Sequence, residues 1–149
     1  MSKKQANEST EDRVKKILEQ WLHEEGYETE IAMGKEHGAD IVAKKHNRKW
    51  IIEVKGYGKH STMRGNYFLT VLGQILQKMD NDYNRYSIAL PDVKRYRDLW
   101  EQLPALAKKR TKISVLFVNE DGQVDYTSNT SVPTLVPQKQ WFGAFVVIF

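Results

Sequence analysis

Two acidic residues and a lysine occupy strand positions at which packing alone would favour apolar side chains. Asp40 directly precedes the apolar run IVA, and Glu53 and Lys55 flank Val54 at the end of the run WIIEVK. Side chains two residues apart on a strand point to the same face, so Glu53 and Lys55 project together. A turn at HNR, residues 46–48, joins the two runs as a hairpin and brings Asp40 level with Glu53 or Lys55. The sequence therefore predicts three charged groups converging at one edge of a sheet.

Such a cluster is suited to metal-assisted hydrolysis of a phosphodiester. Two carboxylates that lie close together repel each other unless something neutralises them. Mg²⁺ prefers oxygen ligands, takes one or two protein carboxylates, and fills its other positions with water and substrate phosphate. Lys55 beside such an ion would hold a phosphate oxygen or orient an attacking water. The metal would generate the nucleophile and stabilise the leaving oxygen.

A purely structural role is the alternative for each of these residues. Glu53 and Lys55 would then form a cross-strand salt bridge on a solvated sheet edge, which contributes little to stability. Asp40, which follows Gly38 and Ala39, would cap a turn.

Length and composition fit one soluble domain over residues 1–149. The chain is 40% hydrophobic and 28% charged, as in globular proteins. It contains no cysteine, which excludes disulfides, thiolate metal sites and cysteine nucleophiles. The first residues are polar and lack an apolar signal core, and the apolar run at 141–149 is too short to span a bilayer. We expect a cytoplasmic protein with no membrane partner.

Positive charge is concentrated in two parts of the chain, whose formal net charge is +4. No acidic residue lies between Glu53 and Asp80, and a second basic cluster spans residues 108–112. Localised positive charge is typical of a surface that contacts a polyanion; a solvated face is the alternative. The residues predicted to contact nucleic acid are Lys59, His60, Arg64 and Lys78.

Periodicity and turn residues divide the chain into alternating helices and strands. Residues 1–9 are expected to be disordered, and 56–65 to form a glycine-bearing loop. Helices are predicted from Ser9 or Thr10 to Glu25, over 66–80, and from near Pro91 to Leu103, and strands over 27–33, 39–45, 49–55, 86–90, 112–119 and 124–128. The run at 141–149 is open to three interpretations: an edge strand, a core strand or an interface patch. This order predicts an α/β sandwich with a mixed central sheet.

The spacing of Asp40, twelve residues, and then Glu53-Val54-Lys55 resembles the signature of the PD-(D/E)XK nuclease superfamily. The resemblance covers residues 11–90 as a catalytic core and leaves 91–149 as a C-terminal extension. It implies a three-layer α/β/α sandwich with a restriction-endonuclease-like αβββαβ core, followed by a C-terminal helix and strands. Ala39 stands where the family name has proline.

The resemblance also implies roles for individual residues. Asp40, Glu53 and the main-chain carbonyl of Val54 would bind Mg²⁺, with Mn²⁺ also accepted, and Lys55 would act on the nucleophile or the transition state. Many members of the superfamily add a glutamate from the first helix and a glutamine from the helix after the motif.

Three residues match these two additions. Glu11 is the best match for the glutamate and Glu19 the second, while Gln74 fits the glutamine. The structural alternatives are a first-turn acid for Glu11 and a polar group on the helix surface for Gln74.

The predicted function is that of a Mg²⁺-dependent endonuclease acting on duplex or branched DNA, with RNA open as a substrate. The alternative is a noncatalytic module that keeps the nuclease fold to bind nucleic acid or a protein. The apolar C-terminal segment also suggests a homodimer, which would supply two active sites for the two strands of a duplex.

Overall fold

A six-stranded mixed sheet organises the part of the chain that the computed structural model describes, residues 8–34 and 38–127. The strands lie in the order in which they occur in the chain. The pairs β3–β4 and β4–β5 are parallel, and the other three pairs are antiparallel. The strands are β1 (Glu28–Ile31), β2 (Ile41–Lys45), β3 (Arg48–Val54), β4 (Arg85–Pro91), β5 (Ser114–Val118) and β6 (Val124–Thr127).

Helices cover both faces of the sheet, which confirms the three-layer α/β/α sandwich. The helices are α1 (Thr10–Glu24), α2 (Ser61–Gln77), α3 (Lys94–Gln102) and α4 (Ala105–Thr111). The apolar stripe of α1 packs on the face that carries Ile52 and Val54. The helices α2 and α3 pack on the opposite face, which carries Ile51 and Ile88. β3 is therefore buried on both faces along most of its length, as expected for a central strand.

Three features of the structure differ from the sequence-based expectation. Helix α2 begins at Ser61 rather than at 66, because the His60 side chain caps it by accepting a hydrogen bond from the Met63 amide at 3.2 Å. Pro91 ends β4 instead of opening a helix, and α3 begins at Lys94. Helix α4, which follows Pro104, was not predicted; none of its residues is buried, so no apolar stripe marks it.

Disorder was expected over 1–9, of which residues 1–7 lie outside the described residues, while Ser9 caps α1 by accepting a hydrogen bond from the Asp12 amide at 3.1 Å. The role of the apolar run at 141–149 also lies outside the described residues. Within the described ranges, no helix is long and apolar enough to cross a membrane.

The loop that follows β3 is held between α1 and α3 at Gly56. The Gly56 carbonyl accepts a hydrogen bond from the buried Tyr96 hydroxyl at 2.8 Å, and the Tyr57 amide donates to Thr10 Oγ1 at 3.2 Å. A Cβ at position 56 would lie 2.2 Å from Thr10 Oγ1 and 2.8 Å from the Glu11 amide nitrogen. Only glycine lets the start of α1 approach this loop so closely.

We expect Gly56→Ala to lower the free energy of unfolding by about 1–3 kcal/mol, because the added methyl group forces α1 away from the loop. The matched control is Gly73→Ala within α2, where an added Cβ meets nothing within 4 Å. That change should raise stability by roughly 0.5–1 kcal/mol through helix propensity. Urea denaturation followed by circular dichroism measures both, and equal stability of the two variants would contradict the close approach.

Candidate active site

Asp40 is fixed against the end of β3 by a hydrogen bond to the main chain. The pairing of Ile41 with Ile52 places Asp40 beside Glu53, just before β2 begins. Asp40 Oδ2 accepts a hydrogen bond from the Val54 amide at 2.8 Å. The structure therefore brings Asp40 and Glu53 together as predicted, and the backbone of β3 orients the Asp40 carboxylate.

Glu53 is a buried acid, with only 2% of the residue exposed. Its carboxyl group lies within hydrogen-bonding reach of the Asp40 carboxyl. On its other side, Lys78 Nζ at the end of α2 lies 2.8 Å from Glu53 Oε1. The approach of Lys78 is that of an ion pair, and Oε1 lacks a directed hydrogen bond. Glu53 Oε1 thus has one cation beside it, which a ligand would have to displace.

The two carboxyl groups have opposite pKa shifts. Burial, together with the adjacent Asp40 carboxylate, raises the pKa of Glu53 to about 7 against the opposing effect of Lys78. Burial also opposes ionisation of Asp40, but hydrogen bonds from Glu53, the Val54 amide and Lys15 outweigh it and lower the Asp40 pKa. In the metal-free protein, Asp40 is therefore ionised below about pH 7 while Glu53 keeps its proton.

A buried lysine that was not predicted from the sequence supports Asp40. Lys15 of α1 is 1% exposed, and its Nζ lies 3.1 Å from Asp40 Oδ1. The same ammonium donates to the Ala32 carbonyl at 2.7 Å. A signal for it exists in the sequence: Lys15 lies on the same helical stripe as the buried Leu18 and Leu22, where a charged residue is out of place.

Lys55 leaves the end of β3 toward the N-terminus of α1. Its Nζ lies 3.5 Å from Glu11 Oε1, and its side chain is 20% exposed. The structure thus brings Glu11, the first candidate for the helix-borne acid, to the predicted lysine. Glu19 lies two turns further along α1 and pairs with His23 at 4.0 Å.

Gln74 lies one turn before Lys78 on the same side of α2, since residues four apart share a helix face. Its Oε1 is buried and has no hydrogen-bond donor among the described residues. Because Lys78 reaches Glu53, Gln74 belongs to the helix face that turns toward the carboxylates.

The predicted nucleic-acid contacts occupy different environments. Lys59 and His60 are exposed at the N-terminus of α2. Arg64 is half-buried and donates from Nε to the Tyr57 carbonyl at 2.8 Å, so it supports the loop after β3. Lys78 is engaged with Glu53.

The arrangement fits a hard divalent cation. It offers two adjacent carboxylates, and the cation beside Glu53 Oε1 is the partly exposed Lys78, which a metal ion would replace. No group of three or more acidic, histidine or cysteine side chains in the described ranges forms a metal site. Mg²⁺ needs only one or two protein carboxylates together with water and substrate oxygens. Asp40 and Glu53 would hold it, and the Val54 carbonyl is the third ligand that the resemblance implies.

Comparisons with known proteins give the fold independently. A family model described as Mrr_cat, restriction endonuclease, matches residues 6–66, which include Asp40, Glu53 and Lys55. The chain is similar to two solved structures: an XisH family protein from Nostoc punctiforme PCC 73102 (17% identity, TM-score 0.56) and an fdxN element excision controlling factor protein from Anabaena variabilis (18% identity, TM-score 0.56). Each alignment covers 77% of this chain and 98% of the other. No curated protein matches the chain. The predicted resemblance and the restriction-endonuclease-like fold are confirmed.

The raised pKa of Glu53 predicts a pH-dependent stability in the metal-free protein. The folded protein binds this proton more tightly than the unfolded chain does, since the pKa rises from 4.5 to about 7. The stabilisation is complete below pH 4.5 and is lost as pH rises through about 7. Glu53→Gln, which can still donate to Asp40, removes this loss. Its Tm relative to wild type in EDTA should therefore increase between pH 5 and pH 8.

Differential scanning calorimetry measures this effect, with the exposed Glu101→Gln as the control that should show no such trend. Mg²⁺ at pH 8 should raise the Tm of wild type and leave that of Glu53→Gln nearly unchanged. A pH-independent difference between wild type and Glu53→Gln would contradict the shared proton.

Replacing the buried lysine should destabilise the fold strongly. Lys15→Met leaves the Asp40 carboxylate without its buried partner, and such losses cost about 3 kcal/mol. The neighbouring Lys16 forms an exposed ion pair with Glu8, so Lys16→Met should leave the unfolding transition almost unchanged. Urea denaturation compares the two, and similar midpoints would show that the Lys15–Asp40 pair is unimportant.

Proposed function

We propose that this chain is a Mg²⁺-dependent endonuclease that hydrolyses phosphodiester bonds in DNA. The observation that carries the proposal is the adjacency of Asp40 and Glu53 at the end of β3, with Lys55 directly after that strand. The match of residues 6–66 to the restriction endonuclease model supports a nucleic-acid substrate.

Asp40 and Glu53 would hold the metal ion. When bound, the ion would lower the pKa of a water molecule and stabilise charge on the leaving oxygen. The chain's own contribution is orientation: the Val54 amide fixes Asp40, and Lys15 keeps it ionised. Glu53 must give up its proton to bind the ion, so binding releases a proton at neutral pH.

Lys55 would act on the substrate. Its side chain is 20% exposed, and its ammonium lies 3.5 Å from Glu11 Oε1. It would bind an oxygen of the scissile phosphate or orient the attacking water, and charge on the phosphate would strengthen either interaction. The Gln74 carbonyl oxygen, which is buried without a donor, would accept a hydrogen bond from the attacking water or from a metal-bound water.

The substrate would approach along the N-terminus of α2. Lys59 and His60 are exposed there, close in the chain to Lys55, and would contact the sugar-phosphate backbone. Such contacts position a duplex without reading its sequence. Lys78 would contact phosphate only after its pair with Glu53 opens.

A noncatalytic module is the second candidate, and one observation favours it. Each carboxylate already has an internal cation, Lys15 for Asp40 and Lys78 for Glu53. The cluster would then be a structural ion-pair network that needs no metal, and the chain would bind nucleic acid or a protein without cleaving it.

Cleavage assays separate the two candidates. Wild type, Asp40→Asn and Lys55→Met are incubated with supercoiled, linear, branched and single-stranded DNA, and with RNA, in Mg²⁺, Mn²⁺ or EDTA. We expect metal-dependent cleavage of DNA by wild type, lowered at least about a hundredfold in both variants, because each removes a ligand or a charge used in the transition state.

The matched controls are Asp98→Asn and Lys94→Met, which make the same chemical changes in an exposed ion pair of α3 and should cleave like wild type. Nucleic-acid binding with no cleavage under any metal would overturn the nuclease and leave the module. Cleavage that survives Asp40→Asn would exclude this site as its source.

A further inference from the structure

The turn between β2 and β3 forms a second basic surface, at the end of the sheet opposite the carboxylates. Five of the six residues over 44–49, KKHNRK, are lysine, arginine or histidine. Six residue steps along β3 separate Arg48 from Val54, which is about 20 Å of extended strand. This surface, the hairpin patch, comprises Lys45, His46, Arg48, Lys49 and Arg85.

A cavity makes the hairpin patch more than a charged edge. It has a volume of about 320 Å³ and is lined by these five residues with Tyr27 and Trp50. That space is enough for a phosphate group and part of its sugar. Arg48 and Lys49 are exposed at its rim.

Two cations of the hairpin patch, Arg85 and Lys45, are held in place by neutral groups and not by carboxylates. The Arg85 guanidinium lies 4.0 Å from the centre of the Trp50 ring, and donates to the hydroxyls of Tyr27 at 3.1 Å and Tyr126 at 2.8 Å. Lys45 Nζ donates to the Glu25 carbonyl at 2.7 Å and lies 5.1 Å from the Tyr27 ring. Neutral partners fix the positions of these groups without cancelling their charge.

The acidic residues of the surroundings do not neutralise the hairpin patch. Within residues 8–34 and 38–127, the only ion pair of the turn joins Lys44 to Glu30, outside the cavity. Lys45, Arg48, Lys49 and Arg85 have no ion pair there. Fixed, uncompensated cations around an open cavity attract an anion, and arginine with lysine is typical of phosphate recognition.

We propose that the hairpin patch is a second binding site for the phosphodiester backbone of nucleic acid, separate from the carboxylate site. Duplex DNA carries one charge per about 1.7 Å of its axis, so a single bound molecule has phosphates to offer at both ends of the sheet. The hairpin patch thus anchors nucleic acid away from the bond that is cut. The inference rests on nucleic acid as the ligand, as in the proposed function, but not on cleavage.

The test is binding of a fluorescent duplex in EDTA, which prevents metal-dependent cleavage, at several salt concentrations. The variant Arg48→Gln/Lys49→Gln removes two exposed charges of the hairpin patch. We expect its Kd to rise roughly tenfold at low salt. The slope of log K against log salt should fall by about two, because two phosphates are no longer neutralised by the protein.

The matched control is Arg13→Gln/Lys16→Gln, which removes the same two residue types from exposed positions of α1 where each pairs with a glutamate, and it should change the Kd less than twofold. An equal loss of affinity in both double variants would overturn the proposal, since net charge alone would then explain binding. Wild-type affinity of the hairpin variant would also overturn it. Circular dichroism checks that each variant is folded.

Inorganic phosphate identifies the source of the phosphate. If millimolar phosphate at constant ionic strength bound wild type but not the hairpin variant, while both proteins bound the duplex equally, the cavity would be a small-anion site and the proposal would fail. The outcomes also separate the two proposals. If the hairpin variant binds weakly and wild type cleaves no substrate, this binding site is supported and the nuclease is not. If Asp40→Asn abolishes cleavage and the hairpin variant binds like wild type, the nuclease is supported and this binding site is not.

Discussion

The neutralisation of two adjacent carboxylates links the three layers of this fold. Two unit charges 4 Å apart repel by about 4 kcal/mol at the effective dielectric of a protein near its surface. The sheet itself supplies only the Val54 amide, which stabilises Asp40. Part of the remaining stabilisation comes from the proton that Glu53 shares with Asp40, and part comes from a helix on each face: Lys15 from α1 reaches Asp40, and Lys78 from the end of α2 reaches Glu53. The positions of both helices are therefore coupled to the same pair of acids, in addition to their apolar packing.

Much of this arrangement could be predicted from the sequence because strand geometry is local. A period of two residues fixed which side chains share a face of β3, and a short turn fixed which residue of β2 lies opposite Glu53. The order of helices and strands followed from apolar periodicity in the same way. The start of α2 could not be predicted well, since STMRGN contains no apolar stripe and its cap is a histidine, an uncommon capping residue. Pro91 reads as a helix opener in isolation, but the pairing of β4 with β5 extends the strand through it.

The partners of the acids could not be assigned because they depend on tertiary distance. Lys78 was predicted to contact a phosphate, yet the end of α2 brings it to Glu53, and no spacing rule relates residues 53 and 78. The sequence does mark Lys15 as unusual, because it is a cation on an apolar helical stripe, but this signal does not identify its partner. Gly56 shows the same limit. A glycine after a strand indicates a turn, but position 56 requires glycine because α1 approaches it closely, and this is known only once both elements are placed.

The two lysines are not equivalent, and the difference bears on which function the cluster can serve. Lys15 is 1% exposed, lies 3.1 Å from Asp40 Oδ1 and donates to the Ala32 carbonyl, so moving it would take this cation away from both oxygens. The Lys78 side chain is 30% exposed, and the only acid it pairs with among the described residues is Glu53. A long, partly exposed side chain returns to water more readily than a buried one. A cation that entered the site would therefore displace Lys78 and leave Lys15 in place. Asp40 would keep its orientation, whereas Glu53 could exchange Lys78 for another cation. A metal-binding site requires such an exchange, and a purely structural network does not.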